Sequence, residues 1–365
     1  MAGFTVGVTG HRRWEEQAEM LRRRGAQVVH GPVMHTSLLS DAGATLDATA
    51  AAVAAPVDHL VLTTGIGTRS WLGVAESAGL DGPLRVAASG AHVVARGPKA
   101  RSAAIGGGIE VDWHAPGETS AELLAHLRDR GVAGRRVVVQ RDGGEPLLAD
   151  ALRDLGADVV DVPVYRWRRP DDDRPAVRLL EAATAGRVHA LTFTCAYGVG
   201  SAFALAPDPD GLRDALSGEV AAVAVGPVTA SALRGRGVEG VVEPVRPRLG
   251  AMVQALIAAL VARHRELRYE GRRSRWQGHL LVHDDGTEVG LTPGEARVLA
   301  ELVRRAPAVV PKAALIATGT SAHAAEATVA RLRAKLGSLG EGIRAVPRRG
   351  YSCGLEVAAA EGDAA

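Results

Sequence analysis

Cysteine is nearly absent. The chain has two in 365 residues, Cys195 and Cys353, far apart and in no metal-ligand spacing. That excludes a disulfide framework and a Cys-rich zinc site, and a reducing, cytoplasmic setting is expected. Long apolar runs are missing as well. Ala255–Ala262, near the end of the main body, is eight residues long, and a membrane span needs about twenty. No transmembrane helix and no membrane partner are expected. The first residues place their charges after the apolar stretch, the reverse of a signal peptide. Twelve histidines form no ligand set; His279 and His283 are four apart but sit on a strand-like pattern. No metal is expected. Gly65-Ile66-Gly67 lacks a third glycine, and no acidic residue ends the next strand, so it is not a dinucleotide loop. No cofactor is implied. Gly106–Gly108 reads as a turn, and Cys195 as a small strand-end residue.

What is present suits a soluble globular protein: 47% apolar and 23% charged residues, in two or three domains. The net charge of +2 hides an asymmetry. Residues 1–262 carry 27 basic and 29 acidic side chains, residues 263–355 carry 16 and 9, and the last ten add three acids. A mildly acidic body is joined to a small basic module, for which nucleic acid is the first partner to consider.

The body repeats itself. Phe4–Gly10 is an apolar run ending in glycine, followed by an amphipathic stretch and Gly25–Val29. The pattern returns at Arg136–Gly144, a helix over Leu147–Leu155, and Gly156–Val160. Leu60–Gly65 matches Ala190–Cys195, and Arg85–Ala91 matches Ala222–Val228, each read as a strand followed by a helix. Strands alternating with helices predict an α/β fold with two doubly wound parallel sheets. Ligands bind such sheets at the C-terminal strand ends. The candidate ligand-binding residues there are Thr9, Thr64, Gly65, Ser89, Gly90, Arg141, Gly143, Thr194, Cys195, Gly226, Pro227 and Thr229. Hydroxyls and backbone amides with few convergent carboxylates suit a small anionic ligand.

Over about 260 residues the body resembles uroporphyrinogen-III synthase, on Val225-Gly226-Pro227-Val228-Thr229-Ala230 and on Val164-Tyr165-Arg166. The resemblance implies a second domain inserted into the first. Domain one would span 1–33 and 169–262, and domain two 37–163, with linker strands near Gly31–His35 and Val162–Trp167. It also implies Tyr165 as the catalytic candidate, helping a hydroxyl leave from hydroxymethylbilane, a linear tetrapyrrole with eight carboxylates. Three segments depart from the family: Thr9-Gly10-His11, Ser89–Val93 in place of the second Gly-Pro-x-Thr-Ala helix start, and Gln140-Arg141-Asp142.

Residues 263–275 read as a charged linker, and 276–356 as a separate domain. There, strand-like Leu280–His283 precedes a turn and a short strand ending at Leu291. Thr292-Pro293-Gly294-Glu295 carries the signals of a capped helix start. A later helix turns Ala325, Val329, Leu332 and Leu336 to one face, with Arg331 opposite and Thr328 and Lys335 flanking. Ile343–Cys353 reads as strand, basic turn, strand. This order resembles the OmpR/PhoB-type winged helix-turn-helix. The resemblance implies double-stranded DNA as partner. Thr328, Arg331 and Lys335 would enter the major groove, Arg348 and Arg349 would form the wing contact, and Arg333 would pack or reach a phosphate. Self-association on DNA belongs to the same expectation. Contact with RNA polymerase would involve Ala317–Ala322, which lacks the family's bulky aromatic. Such modules usually follow a phosphorylated receiver domain, and none is present. The expected function is therefore a transcriptional regulator whose body senses an anionic ligand such as a tetrapyrrole. The alternative is a bifunctional uroporphyrinogen-III synthase carrying a DNA-binding domain.

Overall fold

The computed structural model describes residues 1–38, 43–141, 143, 147–315 and 322–359. The chain forms two compact units, one of His35–Arg169 and one of Met1–Met34 with the chain from Pro170 onward. It opens on β1 (Thr5–Val8) and β2 (Gln27–His30), joined by helix Trp14–Arg22. Every residue of β1 is buried, as the apolar run requires of a strand covered on both faces.

The inserted unit contains β3 (His35–Leu38), β4 (His59–Leu62), β5 (His92–Ala95), β6 (Trp113–His114), β7 (Arg136–Gln140), β8 (Asp158–Val162) and β9 (Tyr165–Arg168). Its parallel sheet has the order β6-β5-β4-β7-β8. The linker strands are β3 and β9, antiparallel, with His35 opposite Arg168 and Leu38 opposite Tyr165. They therefore lie a few residues beyond the expected Gly31–His35 and Val162–Trp167. The chain returns to its first sheet with β10 (Ala190–Phe193) and β11 (Ala221–Ala224), giving the order β11-β10-β1-β2.

The repeat is legible in this topology. Reading β10 as β4, β11 as β5, β1 as β7 and β2 as β8, the two sheets have one strand order, cut at different points in the chain. Even the outer bridge recurs, with Val223 to Val242 in one and β5 to β6 in the other. One element needs correction. Arg85–Ala91, read as a strand, lies mostly in helix Asp81–Ser89, which buries Leu84 and Ala88 one turn apart. The strand matching β11 is β5, seven residues further on.

The basic module follows helix Leu249–Val261. The expected linker 263–275 is instead β12 (Arg265–Tyr269) and most of β13 (Arg272–Gln277). Leu267 and Ser274 pair on the buried face, and Glu270-Gly271, both at positive φ, make the tight turn. Arginines occupy mainly the other face, so a half-buried hairpin carries the composition of a linker. Then come β14 (Leu280–His283), β15 (Glu288–Gly290), helix Pro293–Arg305, a 3₁₀ turn Lys312–Leu315 and helix Ala322–Leu336. The hairpin β16 (Ile343–Val346) and β17 (Gly350–Cys353) follows, and β18 (Glu356–Ala359) returns beside β12. Leu299, Leu302, Leu332, Leu336 and Ile343 are fully buried in the module's own core. No described helix is long and apolar enough to cross a membrane.

Candidate functional site

In the inserted unit the C-terminal strand ends are organised by one buried amide. Gln140 closes β7, and its Oε1 accepts from the Thr63 and Thr64 backbone N–H groups, both at 3.1 Å. Its Nε2 donates to the Arg141 carbonyl. A side chain at Gly67 would sit 2.2 Å from Nε2, so glycine is what lets the helix approach. The Thr64 hydroxyl caps helix Gly65–Ser77, accepting from Gly67 N–H. Tyr165, 4% exposed, reaches the same hydroxyl at 3.3 Å. Gly143 lies against the phenol ring, and its carbonyl accepts from Trp167 N–H at 3.1 Å. Tyr165, Thr64, Gly65 and Gly143 thus form one cluster.

Arg141 is held by Asp161 through Nε at 2.9 Å and through Nη2, so its charge is partly satisfied within the protein. Ser89 and Gly90 are displaced from the site. They end helix Asp81–Ser89 and precede β5, which puts them at the N-terminal edge of the sheet, opposite Thr64. The helix start expected of them lies after β5, where Gly97 and Pro98 begin helix Pro98–Gly106 with no side-chain cap. Gly97-Pro98 is the counterpart of Gly226-Pro227, so the second Gly-Pro helix start is kept, there rather than at Ser89–Val93. Asp142 lies outside the described residues.

The first sheet ends similarly. Thr9 is 2% exposed and donates to the Thr192 carbonyl at 2.7 Å, bracing β1 on β10. Gln17, also buried, donates to the Thr192 hydroxyl. Thr194 packs close to Gly10. Cys195 is half-buried and caps helix Ala196–Leu205 through Sγ, 3.3 Å from Gly198 N. Gly226 and Pro227 start helix Pro227–Arg234 with no side-chain cap, and Thr229 is buried inside it. His30 lies by the Gly10 carbonyl at 2.9 Å and stacks on Trp14 at 4.0 Å; burial pushes its pKa down. Helix starts that no strong acceptor caps offer N–H groups to anions. Gln140, Gly97 and His30 were missed in the sequence. The signal for Gln140 was available: an amide ending an otherwise apolar strand.

In the module, the expected capping box is present. Thr292 Oγ1 accepts from Glu295 N–H, and Glu295 Oε2 accepts from Thr292 N–H. Glu295 is 1% exposed and also binds two cations of the later helix: Lys335 Nζ at 2.7 Å and Arg331 Nε at 3.4 Å. Lys335 also donates to the Gly290 carbonyl. Lys335, 30% exposed, therefore braces two elements at the position expected to flank the DNA-facing side of the helix. Arg331 stays 59% exposed and touches the Thr328 hydroxyl. Arg333 Nε packs onto the Gly340 carbonyl, and Arg348 and Arg349 are exposed at the β16–β17 tip. Most of the loop Ala317–Ala322 lies outside the described residues.

These features define a two-unit, doubly wound α/β protein with anion-suited strand ends and a basic C-terminal module. The family model for uroporphyrinogen-III synthase HemD matches residues 15–254. The chain is 33% identical to a mutant uroporphyrinogen III synthase from the thermophilic bacterium Thermus thermophilus, with a TM-score of 0.60 over 70% of this chain and 98% of that one. It is 29% identical over 260 residues to the uncharacterized protein YjjA of Bacillus subtilis, 70% of this chain and 96% of the relative. It is 28% identical over 165 residues to a putative uroporphyrinogen-III synthase of Methanothermobacter thermautotrophicus, 45% of this chain and 65% of that protein. The chain belongs to the uroporphyrinogen-III synthase family. The family match ends at residue 254, before the basic module begins.

Proposed function

We propose that the α/β body is a working uroporphyrinogen-III synthase and that the C-terminal module binds duplex DNA. The body would close hydroxymethylbilane into a macrocycle with one ring inverted, releasing water. The observation that carries this reading is Tyr165, a buried phenol placed on a helix-capping hydroxyl at a strand-end loop. The substrate ionises by losing hydroxide, so a phenol that donates a proton to the departing oxygen lowers the barrier directly. The carboxylates need donors rather than bases. Within the inserted unit, amides at Gly65 and Gly97 and the Thr64 hydroxyl would supply them, with the Thr64 end held in place by Gln140. Gly97-Pro98 restores the helix start that the sequence alone had placed elsewhere, which favours turnover over binding alone. The test is conversion of hydroxymethylbilane by the purified full chain, with the oxidised products separated by isomer. Enrichment of the inverted-ring isomer over the unassisted background supports the reading; the background ratio refutes it.

A second reading keeps the body as a sensor that binds an anionic tetrapyrrole without turning it over. The observation favouring a regulator is the module's element order: antiparallel sheet, helix, 3₁₀ turn, helix, hairpin. That order, with two exposed arginines on the hairpin tip, supports the winged-helix reading. Duplex DNA is then the partner, and polymerase contact and self-association on DNA would follow from it.

A further inference from the structure

The module meets the first residues of the chain at a joint made of glycines and histidines. His279 N–H donates to the Gly3 carbonyl at 2.8 Å, and Gln277 Nε2 to the Ala2 carbonyl at 3.2 Å. Two glycines permit this approach. A Cβ at Gly3, φ +82°, would lie 2.3 Å from the Gln277 oxygen. One at Gly278, φ +58°, would lie 2.5 Å from the Gly3 oxygen. Over them sits His189, at the start of β10, its ring centroid 4.5 Å from that of His279 and 5.2 Å from that of Phe4. Phe4 in turn stacks on His264, which follows helix Leu249–Val261.

The protonation state is fixed by one hydrogen bond. Thr5 N–H donates to His189 Nδ1 at 2.9 Å, so that nitrogen holds a lone pair and the ring proton is on Nε2. The charged groups acting on these rings are Arg263 from the helix end, Arg275 from β13 and the Met1 amine. Glu219 acts on Arg263 and not on the rings. Among the described residues, no carboxylate acts on His189, His264 or His279, and the side lined by Gly3, Thr5 and His279 adds a further cation, Arg187.

We propose that this joint is an acid-operated catch. Neutral rings hold the C-terminal module against the N-terminal domain, and protonation of His189 and His279 releases it. A proton on His189 Nδ1 occupies the lone pair that receives Thr5 N–H, so that bond must break. The resulting cation lies against His279 and Arg263 with no counter-anion, and opening the joint to water is the relief available. At neutral pH the catch stays shut because burial, then the neighbouring His279, pushes His189 down to about 4; burial also lowers His279 and His264. The device does not depend on what the body converts or the module binds.

Hydrogen exchange of the full chain tests it, at about pH 7.5 and about pH 4.5, with intrinsic rates corrected for pH. The Thr5 and His279 amides should lose about tenfold or more of their protection in acid, while the paired amides of β16 and β17, which carry no histidine, keep theirs. A His189→Asn, His279→Phe variant should hold both amides protected to within about twofold across the same range. Unchanged protection in the wild type, or equal loss in the variant, overturns the proposal. If the variant is unprotected even at neutral pH, a ¹⁵N titration of wild-type His189 decides instead. Its Nδ1 protonation must coincide with loss of Thr5 protection, and separate midpoints contradict the catch.

Discussion

Gly143 has φ +93°, and a methyl there would lie 2.3 Å from Tyr165 Cε2. Both facts tie the loop to the phenol. Gly143→Ala should destabilise the chain by about 1–3 kcal/mol and displace the ring, through backbone strain and overpacking together. Thermal denaturation checks the first effect and turnover the second; full activity at an unchanged midpoint would detach Gly143 from the site. Glu295 is a second residue on which much converges. Its pKa lies below the ordinary value: burial opposes the charge, but the Lys335 hydrogen bond and the Thr292 N–H outweigh it. The carboxylate therefore stabilises the module above the unfolded-chain pKa, and the effect is lost as pH falls through the lower folded value. Glu295→Ala should cost about 2–3 kcal/mol, allowing for its partly exposed partners. Denaturant unfolding of the full chain measures it, and a loss under about 0.5 kcal/mol would place it with ordinary surface substitutions.

Among the elements, the two cations of helix Ala322–Leu336 that reach Glu295, Arg331 and Lys335, should behave differently. Arg331→Ala should lose about 1–3 kcal/mol of discrimination between cognate and random DNA. Lys335→Ala should lower stability instead, because Lys335 joins that helix to Glu295 and Gly290. Replacing Arg348 and Arg349 together should weaken both DNAs and flatten the salt dependence by about one to two counterions. Affinity measured against salt on both DNAs separates the three, and equal effects of Arg331→Ala on both would misplace the recognition helix. The elements also show where sequence reading succeeds. The capped start at Thr292, the β16–β17 hairpin and the repeated β–helix–β units follow from local signals. Arg85–Ser89 failed because alanines and a valine fit either period. The true strand, His92–Ala95, is short and begins with a histidine. Residues 263–275 failed because arginine on one face of a hairpin has the composition of a linker. Tyr165 was legible only through the family motif, while Gln140 needed the sheet to show what its amide holds.

Across the fold, histidines that are buried or half-buried in their neutral form weaken the protein in acid. His59, His92 and His126 cluster at the N-terminal edge of the inserted sheet, with His92 Nε2 and His126 Nε2 3.0 Å apart. Their ring centroids are 5.3 Å apart, so the nitrogens face head-on, sharing a proton rather than converging on a metal. Burial lowers all three pKa values. The unfolded chain takes these protons near pH 6.5 and the folded chain resists them. Stability is then fully present above that pH and falls as the pH drops toward the folded values. His189 alone, lowered to about 4, represents about 3 kcal/mol by this linkage. A thermal midpoint that stays level between about pH 7.5 and about pH 5 would contradict the burial of these rings.

Turnover through Tyr165, as proposed for the α/β body, separates a working synthase from a binding protein of the same fold. The most direct measurement is the turnover of hydroxymethylbilane by the wild-type chain and by Tyr165→Phe, at matched thermal midpoints. The wild type should give inverted-ring product, and the variant a kcat about a hundredfold lower with KM little changed, the range expected for losing one proton donor. No product above background from a folded wild type, or equal rates from the two proteins, would contradict it.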